Sequence, residues 1–256
     1  MTSFRSIAVL VGALALTACE KNAVQDITGP LSSARIKFFN FGVNAPAVNF
    51  YANDAKMTAV TSATGAESTN GTVYGGVGSG GLYSAIEPGQ YTFSGRIAAT
   101  VDKDLAITTV PATIENGKAY SFYTSGLYNT TTKTVEGFVV EDQLGATTDP
   151  TVAYVRFVNA ISNANPMTLY AKNTTTLAEV PVGGAVAYKS AGAFTALPNG
   201  VYDLSTRYNG VTTNAIARTA VSFVAGRVYT ISARGDITVT STTAATRPFL
   251  DNTLNR

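Results

Sequence analysis

The feature that most constrains the fold is a stretch that occurs twice in the 256-residue chain. Residues 34–52 begin Ala-Arg-Ile-Lys-Phe-Phe-Asn and end Val-Asn-Phe-Tyr-Ala, and residues 153–171 follow the same plan with every matched position 119 residues later. Each copy has the pattern of a strand, a turn containing Pro and Asn, and a second strand. The repeat predicts two related β-rich domains in tandem.

Two later turns repeat as well, at shorter spacings. Residues 197–204 match residues 86–93 at a distance of 111, and residues 223–231 match residues 114–122 at a distance of 109. The second copy therefore has shorter loops on the same strand plan, which favours duplication over coincidence.

Hydrophobic alternation with a period of two continues along both copies. Ile36, Phe38 and Asn40 share one face of the first strand and are predicted to face the core, whereas Lys37 and Phe39 lie on the other face. No stretch keeps a helical period for more than about two turns. We therefore predict an all-β chain with two tandem antiparallel β-sandwich domains of the immunoglobulin-like type.

Composition shifts give the predicted boundaries. The first domain covers 34–141, a linker rich in Gly, Pro and Thr covers 142–150, and the second domain covers 151–242. Residues 243–256 are predicted to be a C-terminal tail, which either packs back through Phe249 and Leu250 or is disordered.

The N-terminus has the pattern of an export signal. Arg5 precedes an apolar run, residues 7–16, of about ten residues, which is too short to span a bilayer as a helix. The run ends in Leu-Thr-Ala-Cys, which resembles the lipobox of bacterial lipoproteins, and Cys19 is the one cysteine of the chain. The alternative is an ordinary signal peptide that happens to contain a cysteine.

We therefore predict a lipoprotein signal peptide at 1–18, lipidation of Cys19, and a lipidated tether at 19–33. Acyl chains on this residue would anchor the protein to a membrane. Glu20 follows the cysteine, and in enteric bacteria Asp at that position retains a lipoprotein in the inner membrane, so the outer membrane is the predicted location.

The residue inventory argues against common catalytic chemistry. The chain has no His, which excludes a Ser-His-Asp triad, a Cys-His pair and histidine metal sites. The formal net charge is +2 and no cluster of Lys and Arg occurs, so nucleic acid is not an expected partner. We predict no enzyme activity, no catalytic residue, no cofactor and no metal.

Two local patterns have a functional and a structural interpretation. Asp102 and Asp104 could place two carboxylates together or bind Ca²⁺ weakly, but a solvated hairpin end is the favoured interpretation. Residues 76–81 match G-x-G-x-x-G, yet a strand and turn follow where a dinucleotide site needs a helix. The glycine pattern therefore predicts a loop between strands.

The predicted function is that of a non-catalytic cell-envelope lipoprotein with a structural or surface-interaction role. The alternative is a carbohydrate- or other ligand-binding module, because 13 tyrosines could form a stacking platform, although the chain has no Trp. Expected partners are the membrane, through the lipid anchor, and envelope glycans or other surface proteins.

The opening unit, with its aromatic strand, Ala-Pro turn and Val-Asn-Phe-Tyr, resembles the bacterial family of domains of unknown function 4397, as do the later Pro-Gly-Gln-Tyr and Gly-Lys-Ala-Tyr turns. The resemblance covers nearly all of 34–240 and implies an exported, β-rich protein with no known activity. That family favours His-Ala-Ser-Pro and Val-Asp in the first hairpin. Here Asn40-Phe41 or Asn159-Ala160, and Val48-Asn49, stand in those places, so no residue role is carried over.

Overall fold

The computed structural model describes residues 34–59, 67–147 and 149–256. These residues belong to one compact unit. The predicted signal peptide at 1–18, Cys19 and the tether at 19–33 lie outside the described residues. The described part of the chain is all-β, with strands and two short 3₁₀ turns, Gly78–Gly81 and Leu144–Ala146.

Eighteen strands are described, nine in each half of the chain. The first nine are β1 Arg35–Val43, β2 Val48–Ala52, β3 Ala55–Lys56, β4 Gly76–Val77, β5 Ser84–Ala85, β6 Gly89–Ile97, β7 Ala106–Ile114, β8 Ala119–Asn129 and β9 Thr134–Glu141. The second nine are β10 Ala153–Asn159, β11 Met167–Asn173, β12 Glu179–Val186, β13 Ser190–Ala191, β14 Thr195–Leu197, β15 Gly200–Tyr208, β16 Ile216–Phe223, β17 Val228–Arg234 and β18 Phe249–Leu254.

Each half contains two sheets, and the pairing scheme of the first half is repeated in the second. The inner sheets have the orders β4-β1-β8-β9 and β13-β10-β17-β18, with β5 and β14 also pairing with β1 and β10. The outer sheets have the orders β3-β2-β6-β7 and β12-β11-β15-β16. Every strand of the first half thus has an equivalent nine strands later.

Strand register reproduces the spacings found in the sequence. Phe38 of β1 pairs with Phe122 of β8, and Phe157 of β10 pairs with Ile231 of β17. The matched residues are 119 apart in the first strands and 109 apart in the second. The two spacings found in the sequence are therefore reproduced together in the pairing of one pair of strands in each half.

One prediction about the sheets is wrong: they are not purely antiparallel. β1 runs parallel to β8, and β10 runs parallel to β17, so both inner sheets are mixed. These strands are joined through the outer sheet instead of through a hairpin, and a parallel pair needs such a crossover. Hydrophobic alternation reports which face is buried and carries no information on strand direction. The immunoglobulin-like assignment stays a prediction.

A hydrophobic core fills the space between the inner and outer sheet of each half. The first core is aromatic: Phe38 stacks on Phe50 with ring centroids 5.2 Å apart, and both rings contact Phe122 edge-on. The second core is mainly aliphatic, with Leu169 and Leu204 among its fully buried members. The predicted inward position of Ile36 and Phe38 is confirmed.

The tyrosines that repeat between the halves hold equivalent turns. In each half one hydroxyl donates to a backbone carbonyl four residues earlier, and another accepts a backbone N–H from five residues earlier. The donated pairs are Tyr91 to Glu87 at 3.0 Å and Tyr202 to Pro198 at 2.7 Å; the accepted pairs are Glu115 to Tyr120 at 3.1 Å and Val224 to Tyr229 at 3.2 Å. The repeated tyrosines are therefore turn and core residues.

The segment predicted as a C-terminal tail contains a core strand. β18 pairs with β17 along its whole length, and Leu250 is fully buried in the second core. The second half thus extends beyond residue 242, and of the two alternatives for the tail the structure has the packed one. The segment predicted as a linker also makes contacts, because Asp142 and Leu144 are buried.

Candidate functional site

The two inner sheets pack against each other, and this contact, here called the joint, is the candidate site. Because side chains alternate along a strand, Lys37 and Phe39 point away from the core that Phe38 enters. Both are nevertheless buried, because the face they occupy is covered by the second half of the chain. Sequence reasoning placed these residues on the non-core face and missed the second covering layer.

Aromatic rings of the first half form the centre of the joint. Tyr123 stacks between Phe39 and Phe138, with centroid distances of 4.4 and 4.9 Å. Val158 and Ala160 of the second half complete this cluster. The joint therefore has its own hydrophobic centre, separate from the two cores between the sheets.

A buried ion pair lies beside this centre. The guanidinium of Arg156, on β10, pairs with the carboxylate of Asp142, at the end of β9, and both side chains are almost fully buried. Arg156 also donates from Nε to the Thr230 hydroxyl at 3.0 Å and from Nη1 to the Glu141 carbonyl at 2.9 Å. Its guanidinium carbon lies 5.1 Å from the centre of the Phe194 ring. Arg156 thus links strands of both halves.

The carboxylate of Asp142 is satisfied by hydroxyl groups as well as by charge. Its Oδ2 accepts a hydrogen bond from Tyr83 at 2.6 Å and another from Ser121 at 2.8 Å. Burial, together with the neighbouring carboxylate, raises the pKa of Tyr83 well above its usual value. The tyrosine consequently stays protonated as a donor, which is what a buried carboxylate requires.

Lys37 is the second buried cation of the joint, with a relative exposure of only 2%. Its ammonium donates to the Leu254 carbonyl at 2.5 Å and lies 4.3 Å from the centre of the Tyr83 ring. Burial lowers its pKa from 10.5 to about 8; Asp142 opposes this change and Arg156 adds to it. A lysine held mainly by a carbonyl and a ring is poorly compensated for its lost hydration.

Polar contacts close one end of the joint. Tyr188 donates to Glu136 at 2.7 Å and lies 3.0 Å from the Ser125 hydroxyl, while the Lys189 ammonium lies 3.0 Å from Glu136. The Tyr188 hydrogen bond and then Lys189 hold the pKa of Glu136 below its usual value. These contacts tie β8 and β9 to the loop before β13.

An arginine closes the other end. Arg234 of β17 pairs with Asp251 of β18, and its guanidinium carbon lies 4.9 Å from the centre of the Tyr74 ring. Burial raises the pKa of Asp251 and of Tyr74. The contact connects the second half to the loop before β4 in the first half.

The two patterns singled out in the sequence have separate, ordinary roles. Asp102 forms an ion pair with Lys133 at 2.7 Å, and Asp104 accepts a hydrogen bond from Tyr51 at 2.9 Å, so the two carboxylates do not share a ligand. Residues 76–81 form β4 and a 3₁₀ turn, and β5 follows. The predicted loop is thus a 3₁₀ turn at 78–81, whereas Gly76 and Val77, also predicted as loop, pair with β1 as a strand.

Within residues 34–59, 67–147 and 149–256, no group of three or more His, Cys, Asp or Glu is arranged to hold a metal ion. A search of the same residues finds no helix with the length and apolar character needed to cross a membrane. Cys19, the predicted lipidation site, lies outside the described residues.

The outer sheets carry a different set of polar groups. Arg96 covers the Tyr51 ring at 4.3 Å in the first half, and Arg207 covers the Tyr170 ring at 4.4 Å in the second. A shallow hollow of about 420 Å³ lies on the first outer sheet. It is lined by Asn53, Gln90, Tyr91, Thr92, Pro111, Ala112 and Thr113.

The chemistry of the joint is that of attachment. The charged and hydroxyl groups of Arg156, Asp142, Lys37 and Tyr83 bind each other, neighbouring hydroxyl groups or backbone carbonyls. Removing one member of such a buried set costs far more than removing an exposed ion pair. The joint therefore fixes one half of the chain against the other.

Comparisons with known proteins give similarities to solved structures and to one family model. No curated protein matches the chain. A solved structure described as that of a "putative cell adhesion protein" from Bacteroides ovatus ATCC 8483 is 11% identical, with 89% of this chain and 97% of that chain covered and a TM-score of 0.22. Residues 153–256 match the model of the family described as "Domain of unknown function (DUF4397)", and the second half of the chain is thereby similar to that family.

Proposed function

We propose that this chain is a non-catalytic lipoprotein of the cell envelope with a structural or surface-interaction role. The observation that carries the proposal is the joint: the buried ionisable groups, Lys37, Asp142 and Arg156, are engaged in holding the halves together. A body fixed in this way presents both outer sheets to its surroundings. Its interaction partners in this proposal are other surface proteins or envelope glycans.

The proposal includes two tandem β-sandwich domains of the immunoglobulin-like type, with the first half as a second copy of the domain matched at 153–256. Its support is the pairing scheme, because β1 to β9 are connected in the same order as β10 to β18. A shared scheme with different loop lengths is what duplication produces.

The proposal also places the protein at the outer membrane through acyl chains on Cys19. The test is expression of the full chain in a Gram-negative host with labelled palmitate, followed by separation of membranes from soluble protein. We expect the wild type and the control Thr17→Ser to carry label and to sediment with the outer membrane. Cys19→Ser should lose the label and at least 10-fold of the membrane-bound fraction.

Two outcomes would contradict the anchor. One is a wild-type chain that is exported without label, and the other is a Cys19→Ser variant that still sediments with the membrane as the wild type does. Either result would leave the joint unaffected and would remove the lipid attachment from the proposed function.

The second candidate function is a carbohydrate- or other ligand-binding module. The observation that favours it is the hollow on the first outer sheet, whose lining includes the exposed residue Gln90 together with Asn53 and Thr92. Asn and Gln are among the few polar groups that orient a ligand in a binding site.

The test of this candidate is a glycan array probed with the chain lacking residues 1–19. Any hit should weaken at least 10-fold in Gln90→Ala and stay unchanged in Thr219→Ala, an exposed position in the second half. An array without hits, or a hit that both variants retain, would count against the module.

A further inference from the structure

The contacts across the joint occur in equivalent pairs. Lys37 of β1 and Arg156 of β10 are matched residues, 119 apart. Glu141 and Leu254 are also matched, because they pair with the equivalent tyrosines of β8 and β17. The Lys37 ammonium binds the Leu254 carbonyl, and the Arg156 guanidinium binds the Glu141 carbonyl. Each cation thus crosses the joint to the same position in the other half.

The surroundings of the two cations are matched as well. Each cation lies against an aromatic ring of its own half. In addition, an acidic residue binds a hydroxyl of β8 in the first half, and an amide residue binds a hydroxyl of β17 in the second. The pairs are Lys37–Tyr83 with Arg156–Phe194, and Asp142–Ser121 at 2.8 Å with Asn255–Thr230 at 2.6 Å. Asp142 and Asn255 also make the same 2.7 Å backbone contact, to Ala119 and to Val228.

The contacts at the two ends of the joint also involve matched positions of the two halves. Tyr188 contacts Ser125, and Tyr74 contacts Arg234, where Ser125 and Arg234 are matched positions 109 apart. Tyr74 lies two residues before Gly76, which pairs with Asn40 of β1. Tyr188 lies two residues before Ser190, which pairs with Asn159, the matched asparagine of β10. Reciprocal contacts between the same two positions are the signature of an isologous interface, as in a two-fold dimer.

The matched positions at the centre differ in size in one direction. Aromatic residues lie on the first half where small residues lie on the second. The matched pairs are Phe39 with Val158, Phe41 with Ala160, and Tyr123 with Ser232. The Tyr123 hydroxyl lies 3.4 Å from Ser232, so a large residue meets its own small counterpart across the joint.

This asymmetry decides which faces fit each other. Two first-half faces would set Tyr123 and Phe39 against equally large residues, which overpacks the centre. Two second-half faces would leave the centre unfilled and would give Arg156 the amide of Asn255 where it now has a carboxylate. Only the mixed pair fills the space and compensates the charge.

We propose that the outer face of the inner sheet is a self-docking surface of the nine-strand unit, specialised after duplication. Its partner is a second copy of the same unit that has small residues where this one has aromatic residues. In this chain the second half is that partner. The two halves therefore hold together through the joint itself and need no covalent link between them.

The first test cuts the folded chain. A site for a specific protease is inserted between Asp149 and Pro150, both exposed, in the chain lacking residues 1–19. After cleavage we expect the halves to elute together in native size-exclusion chromatography and to separate only in denaturant. Separation of the wild-type halves in native buffer would overturn the proposal.

The second test exchanges a matched pair of residues. Tyr123→Ser and Ser232→Tyr should each weaken association of the cut halves at least 10-fold, because one leaves a void and the other overfills the joint. In the double variant the tyrosine enters from the opposite side, and we expect recovery of at least 10-fold relative to the weaker single variant. Tyr170→Ser, on the second outer sheet, is the control and should leave association unchanged.

If the double variant loses as much association of the cut halves as the two single variants combined, the two positions do not compensate for one another. This result would refute the self-docking surface. If Ser232→Tyr alone fails to fold, the same comparison is made on thermal stability of the uncut chain. There the proposal requires the double variant to melt at a higher temperature than Tyr123→Ser, and a lower temperature refutes it.

Discussion

At the scale of single residues, the joint shows how burial changes the role of a charged side chain. Arg207 and Arg156 are both arginines on strands with a carboxylate partner. The Arg207 pair with Glu179 lies at the surface, where solvent screens it, whereas the Arg156 pair with Asp142 is buried. A guanidinium–carboxylate pair thus contributes little to stability at the surface, whereas breaking one in the interior is strongly destabilising.

We expect Arg156→Met to lower the free energy of unfolding by about 3 kcal/mol, because it leaves the Asp142 carboxylate buried without its charged partner. The control Arg207→Met removes an exposed pair and should cost about 1 kcal/mol or less. Urea unfolding of the chain lacking residues 1–19 measures both. Equal small losses would mean that the Asp142 carboxylate is not buried as described.

Lys37 gives a prediction about pH. Its pKa is about 8 in the folded chain and 10.5 in the unfolded chain, so the unfolded state binds more protons between these values. The free energy of unfolding should therefore rise with pH in this window, by at most about 2 kcal/mol between pH 7 and 9.5. The charged and titratable groups around the ammonium are Asp142, Arg156, Arg35 and Tyr83.

The measurement is urea unfolding at pH 7 and 9.5 for the wild type and Lys37→Met. Other titrating groups contribute equally to both proteins, so the difference between them isolates Lys37. The wild type should gain stability relative to Lys37→Met at the higher pH. Equal pH dependence of the two proteins would show that folding does not lower the pKa of this lysine, and a relative loss would show that folding raises it.

At the scale of elements, the sequence predicted which face of a strand is buried better than it predicted which strands pair with each other. Alternation identified Ile36 and Phe38 as core residues, and both lie in the first core. The parallel pairing of β1 with β8 was missed, because a period of two is the same for either direction.

The joint was missed for a related reason. β1 is buried at eight of its nine positions, which marks a strand covered on both faces. The run Phe38-Phe39 followed by Phe41 contains that signal, since two apolar faces give consecutive apolar residues. Lys37 carries no such signal, because the partner of its ammonium, Leu254, is 217 residues away in the sequence. Asp142 carries none either, because its partners Arg156, Ser121 and Tyr83 come from separate parts of the chain.

β18 was also hard to predict, because only two of its six residues are buried. Its role in the second core gives a direct test. Leu250→Ala should cost about 2–5 kcal/mol in the free energy of unfolding, because it removes a fully buried side chain and leaves a cavity. The control Leu254→Ala, at a side chain that is 43% exposed, should cost much less. Similar small losses in thermal or urea unfolding would place β18 outside the core.

At the scale of the whole molecule, the described chain has two sheet-to-sheet cores and a third contact between the inner sheets. The joint adds aromatic packing, a buried ion pair and a buried lysine to what would otherwise be two independent bodies. Interfaces between domains that are large and apolar suppress relative motion. The two halves should therefore unfold together.

Calorimetry of the chain lacking residues 1–19 should accordingly show one transition, with the van't Hoff enthalpy close to the calorimetric enthalpy. Val158→Asp places a carboxylate at a fully buried position of the joint and leaves both cores intact. We expect this variant to unfold in two steps, or with a van't Hoff enthalpy near half the calorimetric value, because each half then melts alone. Thr168→Asp, on the outer sheet of the same half and next to Arg207, is the control and should keep the single transition. Two separate transitions in the wild type would mean that the joint does not couple the halves, whereas a single transition in Val158→Asp would mean that another contact does.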